Sequence, residues 1–460
     1  MRKNEEIELQ IYDLHANGSG VGKSEDGIAV FVAAALPGDR LRAKILKAKK
    51  NYAYGKIVQI IKTSPDRLDK DDKRICPVSG KCGACQFQHY SYEAQLAFKE
   101  KLVYDALVRI GGCENPSVKP VIGMAEPYHY RNKAQFPLAL LGGKPLIGVY
   151  AARSHRLVPI KDCNIQHPLC SEVLRIIQGI LEKFDIPIYE EESHQGLLRH
   201  VVVRVGFNTG EVMVIFVIKG DTLPYAEEIK SIFSEKNISL LINVNTAKTN
   251  VILGDRFIKL QGSGYIHEEI AHIRYRISPR AFFQVNTRQC KPLYDLVAKY
   301  LAEGENSEGE KPLPKVLDAY SGIGSIALYI ADKIDRVLGI EAVEDAVEDA
   351  NYNAKLNSIN NATFLCGTVE ELLPDLLGQG YDVLILDPPR KGCDSKLLEA
   401  VIAGAIPKII YVSCDPATLA RDVKQLCSAG YKLIEAQPVD MFPMTGHVET
   451  VVLLQKGDLL

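Results

Sequence analysis

The chain has 460 residues and a net charge of −2, and 47 % of its residues are hydrophobic. That apolar share is enough to bury real cores and excludes an intrinsically disordered chain, while the length predicts roughly three domains. No run approaches the roughly twenty apolar residues of a membrane span, and the opening MRKNEEIELQ has no apolar leader, so a cytoplasmic protein without membrane contact is expected.

In chain order, the first expectation is a small closed barrel. Ile7 to Leu14, Ile28 to Val32, Asp39 to Lys47 and Tyr54 to Ile61 read as short β segments, separated by glycine-rich turns such as Asn17-Gly-Ser-Gly-Val-Gly22. From Arg40 to Lys56 stand seven Lys or Arg and no acid, with Tyr52 and Tyr54 among them. Such strands suit a surface that tracks a phosphate backbone while rings stack on bases, although a solvated basic face has the same composition.

The run Cys76-x5-Cys82-x2-Cys85 follows, with glycine between the thiols so that the backbone can turn around an ion or cluster. In a compartment that keeps thiols reduced, clustered cysteines point to metal. Cys113, Cys170, Cys290, Cys366, Cys393 and Cys427 lack such spacing and are assigned to packing, and His89 and His167 are neighbours of the cluster and not ligands. A helix is expected from Tyr92 to Ile110. Lys119 to about Ser278 then alternates β-rich segments (Ala134 to Leu141, Leu198 to Phe207, Glu211 to Ile218, Ser239 to Asn245, Arg256 to Gln261) with helices near Leu169 to Phe184 and Tyr225 to Lys236, which reads as one mixed α/β domain.

Glu303 to Pro314, acidic and Pro-containing, reads as a loop before a change of period. Val316 to Asp318, Arg336 to Glu341, Ala362 to Leu365, Val383 to Asp387, Ile409 to Ser413 and Tyr431 to Val439 are apolar strands separated by helical stretches. That alternation predicts a parallel sheet covered on both faces. In doubly wound sheets a ligand lies beyond the carboxyl ends of the strands, where a glycine turn brings it close to the backbone. Asp318-Ala-Tyr-Ser-Gly-Ile-Gly324 supplies the turn; with Ala327 it also meets the dinucleotide pattern, so from the loop alone a nicotinamide cofactor stays open. Glu341 ends the second strand, where a carboxylate accepts ribose hydroxyls of either cofactor. Asp387-Pro-Pro-Arg-Lys-Gly392 ends the fourth in a rigid extended turn suited to a planar base, a need of nucleic-acid methyltransferases and not of dehydrogenases.

Cys414, in Tyr-Val-Ser-Cys-Asp-Pro after an apolar strand, and Glu449, in Gly-His-Val-Glu-Thr, are a candidate nucleophile and base. Carbon C5 of uracil is a poor nucleophile, but a thiolate added at C6 makes C5 electron-rich; C5 then takes a methyl group, a base removes its proton and the thiol leaves. The helix expected after Asp415-Pro416 is read as lowering the thiol pKa through its N-terminus.

Together these motifs resemble, over the whole chain, the RNA uracil-C5 methyltransferases that use S-adenosylmethionine. The resemblance implies three parts: an OB-like barrel similar to a TRAM domain over residues 1–63, a central mixed α/β domain with an iron–sulfur cluster over 64–280, and a class I, Rossmann-like methyltransferase sheet over 281–460. It also implies that Gln284, Tyr320, Ser325, Glu341 and Asp387 contact S-adenosylmethionine, Ser325 standing where many relatives carry Asn, with Cys414 as nucleophile and Glu449 as base. Cys76, Cys82 and Cys85, joined by the distant Cys163, look like the 4Fe-4S site of members that modify 23S rRNA; from spacing alone zinc stays open, since both accept four thiolates. The expected protein is thus a monomeric enzyme making 5-methyluridine in 23S rRNA. The alternatives are the same chemistry on the T-loop uridine of tRNA, or a non-catalytic iron–sulfur RNA-binding module.

Overall fold

The computed structural model describes residues 1–234, 237–302 and 312–457. Five strands, β1 (Glu6–Leu14), β2 (Ser19–Lys23), β3 (Ala29–Ala33), β4 (Arg40–Ala48) and β5 (Tyr52–Lys62), close into a barrel in the order β1-β2-β3-β5-β4. Strand alternation turns Leu9, Ile11, Val30, Val32, Leu41, Ala43, Ile45 and Ala53 inward, where they form the barrel core. The segment read as a glycine turn is itself a strand, β2. A Cβ on Gly20 would meet the Ala35 carbonyl oxygen at 2.6 Å, so this glycine serves close backbone packing, and Gly18 (φ +81°) does the turning.

Helix α1 (Tyr92–Arg109) leads to a seven-stranded central sheet. Its elements are β6 (Lys133–Leu141), β7 (Lys144–Tyr150), β8 (Leu157–Pro159), α2 (Pro168–Lys183), β9 (Leu198–Val205), β10 (Val212–Ile218), α3 (Ala226–Phe233), β11 (Ile238–Val244) and β12 (Arg256–Gln261), in strand order β12-β11-β10-β9-β6-β7-β8. Of the helix expected to reach Lys236, residues 235–236 lie outside the described residues. The sequence reading missed β7 and β8. Gly142 (φ +59°) and Gly143 (φ +77°) join β6 to β7 as a tight hairpin, and a Gly-Gly pair between apolar runs is a turn signal that was available. A hairpin, β13 (Ile266–Ile270) with β14 (Ile273–Ile277), and helix α4 (Thr287–Ala302) complete the middle of the chain. Residues 303–311 of the expected loop lie outside the described residues.

The C-terminal sheet is built from β15 (Lys315–Ala319), α5 (Ser325–Tyr329), β16 (Arg336–Glu341), α6 (Glu344–Leu356), β17 (Ala362–Cys366), α7 (Val369–Leu376), β18 (Val383–Leu386), α8 (Ser395–Gly404), β19 (Lys408–Ser413), α9 (Pro416–Ser428), β20 (Tyr431–Val439) and β21 (Glu449–Lys456). Strand order is β17-β16-β15-β18-β19-β21-β20. The expected parallel sheet holds from β17 to β19, and β21, a strand the sequence reading did not assign, enters antiparallel to both β19 and β20. Alternate residues feed two cores: Val316, Val383, Ile385, Ile410, Val451 and Leu453 on one face, Leu317, Leu384, Leu386, Ile409, Val452 and Leu454 on the other. The first core also takes in Met213, Ile215 and Val217 of the central sheet and Ile273 and Tyr275 of the hairpin, and the second takes in Val103 and Leu107 of α1. No helix among the described residues is long and apolar enough to cross a membrane.

Candidate active site

The carboxyl ends of β15, β16 and β18 converge on the loop 320–324. There Tyr320 (φ +66°), Gly322 and Gly324 (φ +76°) take left-handed backbone, and a Cβ on Gly324 would lie 2.7 Å from the Phe364 ring, so glycine is required twice over. Gln284, Tyr320, Ser325 and Asp387, four of the five residues expected to meet the cofactor, line one cavity. Glu341 stands behind the loop and shapes it: its Oε2 accepts from Gly322 N at 3.0 Å and its Oε1 from Val343 N at 2.8 Å. Tyr320 donates its hydroxyl to Glu370 at 2.9 Å.

Asp318 lines the same cavity and was given no role by the sequence reading. It is 1 % exposed, and both carboxylate oxygens lack a hydrogen-bond partner among the described residues. Burial first, then the nearby charges of Asp387 and Glu341, push its carboxyl up to about 8. Its position at a strand end just ahead of the glycine turn was the signal that would have found it.

Cys414 and Glu449 are brought together by register. Ser413 of β19 pairs with Thr450 of β21 as the last step of the antiparallel ladder, so Cys414 and Glu449 are the residues that follow and precede that step, close enough for the charge of Glu449 to be felt at the thiol. Glu449 is 2 % exposed. Its carboxyl is held well above the usual range by burial and then by Asp387, with Arg390 opposing. The expectation of an acidified thiol is corrected: burial, then Glu449, push Cys414 up to about 11, and Arg390 only partly offsets this. The helix N-terminus is already used, because Asp415 Oδ1 accepts from Ala417 N (2.9 Å) and Thr418 N (3.2 Å).

Long-range clamps hold both loops. Asp422 on α9, fully buried, accepts from Cys393 N at 2.9 Å and from the Tyr411 hydroxyl at 2.7 Å, while Arg421 reaches the carbonyls of Lys391 and Cys393 and Thr418 that of Arg390. These bonds tie residues 390–393 to the helix that follows Cys414. The loop ahead of Glu449 is gripped by α1: Lys99 Nζ pairs with Asp440 at 2.5 Å with both side chains fully buried, the Tyr92 hydroxyl donates to Asp440 at 2.8 Å, and Gln95 accepts from Met444 N at 3.0 Å. Tyr130 and Asn286 add bonds to the carbonyls of Pro443 and Met441. No local pattern announces contacts more than 300 residues apart.

Cys76, Cys82, Cys85 and Cys163 are free thiols on one cavity wall, and charge on each would be felt by the others. Gln86 N and Phe87 N, next to Cys85, both donate to Met444 O at 3.0 Å, so the cysteine segment touches the loop ahead of Glu449. Among the described residues no three His, Cys, Asp or Glu gather closely enough to hold a single metal ion. His167 caps α2, accepting from Leu169 N at 3.2 Å. Of the cysteines assigned to packing, Cys170, Cys290 and Cys393 are buried, Cys113 and Cys427 half-buried, and Cys366 is exposed.

On the barrel, Phe31, Tyr52 and Tyr54 form a ring cluster with centroids 5.6 to 6.1 Å apart. Arg40 and Arg42 of the basic run are paired with Glu8 (3.0 Å) and Glu6 (3.4 Å), whereas Lys47, Lys49, Lys50 and Lys56 are exposed.

Residues 188–457 match the family model described as tRNA (Uracil-5-)-methyltransferase, and residues 2–58 match the TRAM domain. A chain named an uncharacterized RNA methyltransferase from Halalkalibacterium halodurans is 44 % identical over 462 residues, covering 99 % of this chain and 98 % of that one. One of the same description from Clostridium tetani is 42 % identical over 459 residues, covering 99 % and 97 %. Among solved structures, that of Pyrococcus abyssi tRNA (uracil-54, C5)-methyltransferase in complex with S-adenosyl-L-homocysteine aligns with a TM-score of 0.75 at 30 % identity, over 97 % of this chain and 100 % of that one.

Proposed function

The chain belongs to the tRNA (uracil-5-)-methyltransferase family, and from that premise we propose that it is a cytoplasmic, monomeric enzyme that methylates C5 of uridine in 23S rRNA through a covalent adduct on Cys414. The observation that carries the adduct is that the β19–β21 ladder ends at Ser413 and Thr450, so Cys414 and Glu449 are the next residues of the two strands, with the charge of Glu449 felt at the thiol and that of Asp387 felt at both. Asp318 and Asp387 line one pocket with Gln284 and Ser325, Glu341 stands behind it, and the crowding that raises the Asp318 carboxyl is what a sulfonium cation in the pocket would relieve. S-adenosylmethionine, when bound, supplies an electrophilic methyl group, and Gln284, Tyr320, Ser325, Glu341 and Asp387 are the residues proposed to hold it. The thiolate of Cys414 adds to C6 and shifts an electron pair toward C5, which would then take the methyl group from a bound sulfonium, whose sulfur would keep the electrons of the broken S–CH3 bond and leave as a neutral thioether. Glu449 then accepts the C5 proton, and the electrons of that C–H bond restore the C5–C6 double bond as the thiolate leaves.

All four thiols line one cavity, and the spacing they share with the four-cysteine site of the resembling enzymes is what supports a four-thiolate cluster there. Cys76, Cys82, Cys85 and Cys163 would hold a 4Fe-4S cluster, which would supply a cross-link between the segment around residue 80, the loop around residue 163 and, through Gln86 and Phe87, the loop ahead of Glu449. Division of labour follows the chain: residues 1–63 grip RNA, 64–280 carry the cluster and 281–460 the chemistry. The resemblance of the four-cysteine site to that of 23S rRNA enzymes favours rRNA; the fold shared with an enzyme named for uracil 54 of tRNA favours the T-loop uridine as second reading. Incubation with labelled S-adenosylmethionine and separate rRNA and tRNA pools, followed by mapping of the methylated base, decides between them. Label in neither pool would end both readings.

Two further outcomes are expected. With the Cys414 thiol raised to about 11, its thiolate fraction grows about tenfold per pH unit between pH 7 and 9, so alkylation of the Cys414 peptide by iodoacetamide should rise nearly in proportion; a rate flat across that window, followed by mass spectrometry, would contradict the raised pKa. Replacing Lys47, Lys49, Lys50 and Lys56 by Gln should weaken RNA binding and lower the slope of log affinity against log salt by up to about 0.7 for each phosphate that the variant no longer neutralises, with the modified uridine unchanged. An unaltered slope would reduce the basic run to a solvated face.

A further inference from the structure

Helix α1 turns one stripe toward the interior, and the chemistry of that stripe changes halfway along it. Val103, Ala106 and Leu107 enter the second core, whereas Tyr92, Gln95 and Lys99, at the helical spacing that continues the same stripe, meet the loop between β20 and β21. Asp440 is the first residue of that loop. It stands one step beyond Val439, which pairs with Glu449 as the last rung of the β20–β21 ladder. Every polar atom of Asp440 is engaged. Its Oδ1 accepts from Lys99 Nζ at 2.5 Å and from Phe442 N at 3.2 Å, and its Oδ2 from the Tyr92 hydroxyl at 2.8 Å. Its N–H goes to Ile122 O at 2.9 Å, and its carbonyl accepts from Gln289 Nε2 at 3.2 Å. Lys99 Nζ also donates to Phe442 O at 3.0 Å. Both side chains of the ion pair are fully buried; burial pulls the Lys99 ammonium's pKa down while Asp440 holds it up. The loop is strained as well. Met444, 2 % exposed, has φ +66°, a conformation that residues other than glycine rarely take. It is held there because Gln95 Oε1 accepts its N–H at 3.0 Å and its carbonyl accepts from Gln86 N and Phe87 N, both at 3.0 Å.

We propose that Lys99, through Asp440, is a positioning residue for proton abstraction: it pins the end of the β20–β21 hairpin where Glu449 sits, and so aims the carboxylate that accepts the C5 proton. Two buried ions seldom stabilise a fold more than apolar residues of the same size would, so what this pair supplies is geometry. Neither side chain lines the cavity of Gln284 and Asp318. The turn that carries Cys414 is held elsewhere, by the ladder of β19 with β18 and by the Asp415 cap of α9, so the clamp acts on the base and not on the thiol. The inference rests on the RNA-methylation reading above.

The test compares the full-length wild type with Lys99→Met/Asp440→Leu, a double variant that leaves neither charge buried and unpaired. Two rates are read: turnover with labelled S-adenosylmethionine on the methylated RNA pool, which needs the base, and covalent trapping on the same RNA carrying 5-fluorouridine, which does not. Turnover should fall about 10²-fold, the ordinary effect of displacing a reacting group by about 1 Å, and a methyl-labelled protein–RNA adduct should accumulate on a denaturing gel. Trapping rate and S-adenosylmethionine affinity should stay within about threefold of wild type, because the thiol and the cofactor cavity keep their own supports. If the double variant does not fold, Tyr92→Phe, which removes one bond to Asp440 and no charge, decides by the same split, with turnover expected to fall about tenfold. The proposal is overturned by turnover near wild type, or by trapping that falls as far as turnover, the mark of a fold disturbed as a whole. Wild-type protein that neither methylates nor is trapped by either pool ends the methylation reading and this inference with it. Wild-type activity beside normal turnover in the variant ends this inference alone.

Discussion

Cys414→Ala is expected to reduce methyl transfer by about 10⁴-fold or more while leaving S-adenosylmethionine binding nearly intact. The reason is positional: the thiol lies one residue beyond β19, at the end of the ladder with β21, whereas four of the five residues proposed for the cofactor line the cavity at the ends of β15 and β18. RNA carrying 5-fluorouridine should trap the wild type as a covalent complex stable to denaturation, because fluorine at C5 cannot leave as a cation, and the alanine variant should form none. Robust turnover by Cys414→Ala, or trapping that survives its loss, would place the nucleophile elsewhere.

Glu449→Gln should separate the two halves of the cycle. Cys414 still attacks and C5 still takes the methyl group, but the C5 proton has no acceptor, so a methylated protein–RNA adduct accumulates and turnover falls by about 10²- to 10⁴-fold. On a denaturing gel with labelled cofactor, Glu449→Gln carries label in the adduct and Cys414→Ala carries none. Unfolding is not a competing explanation. A carboxyl whose folded pKa lies well above its unfolded value of about 4.3 binds its proton more tightly when folded, so its contribution to stability is lost as pH rises from that value through the raised one. Glutamine removes that loss, and the thermal midpoint of Glu449→Gln near pH 8 should not fall below wild type. Normal turnover with no adduct would give the base to another group, with Asp387 the nearest carboxyl by its electrostatic influence on both residues.

The glycine turn after β15, the strand-end acids and the cysteine run were legible because each is a local pattern with a local cause: a backbone that must take positive φ, a strand that stops, thiols at short spacing. Gly20 shows how such a cue misleads, since glycine chosen for close approach to Ala35 looks the same in sequence as glycine chosen to turn. Strand β21 went unassigned because Val451 to Leu454 is a short apolar run, and periodicity alone cannot tell a buried strand from a buried helical turn.

By itself the sequence determined the barrel, the mixed central sheet and helices and the strand-and-helix order of the C-terminal sheet up to β20, and it marked Cys414, Glu449, Asp387 and Glu341 as candidates for the chemistry. All of these follow from period, breaker residues and side-chain type, which act over a few positions. The tertiary structure alone decided that β21 runs antiparallel beside β19 and so brings Glu449 to the end of the ladder where the thiol follows, and that Lys99 and Asp440 are buried together to hold the loop ahead of Glu449 on α1. It also decided the thiol's pKa. The sequence argued from a helix N-terminus, one local dipole, but burial and two carboxyls from other strands outweigh it, and Asp415 has already taken the helix's free amides. Desolvation and long-range charge depend on what surrounds a group in space, and chain neighbours carry no record of that.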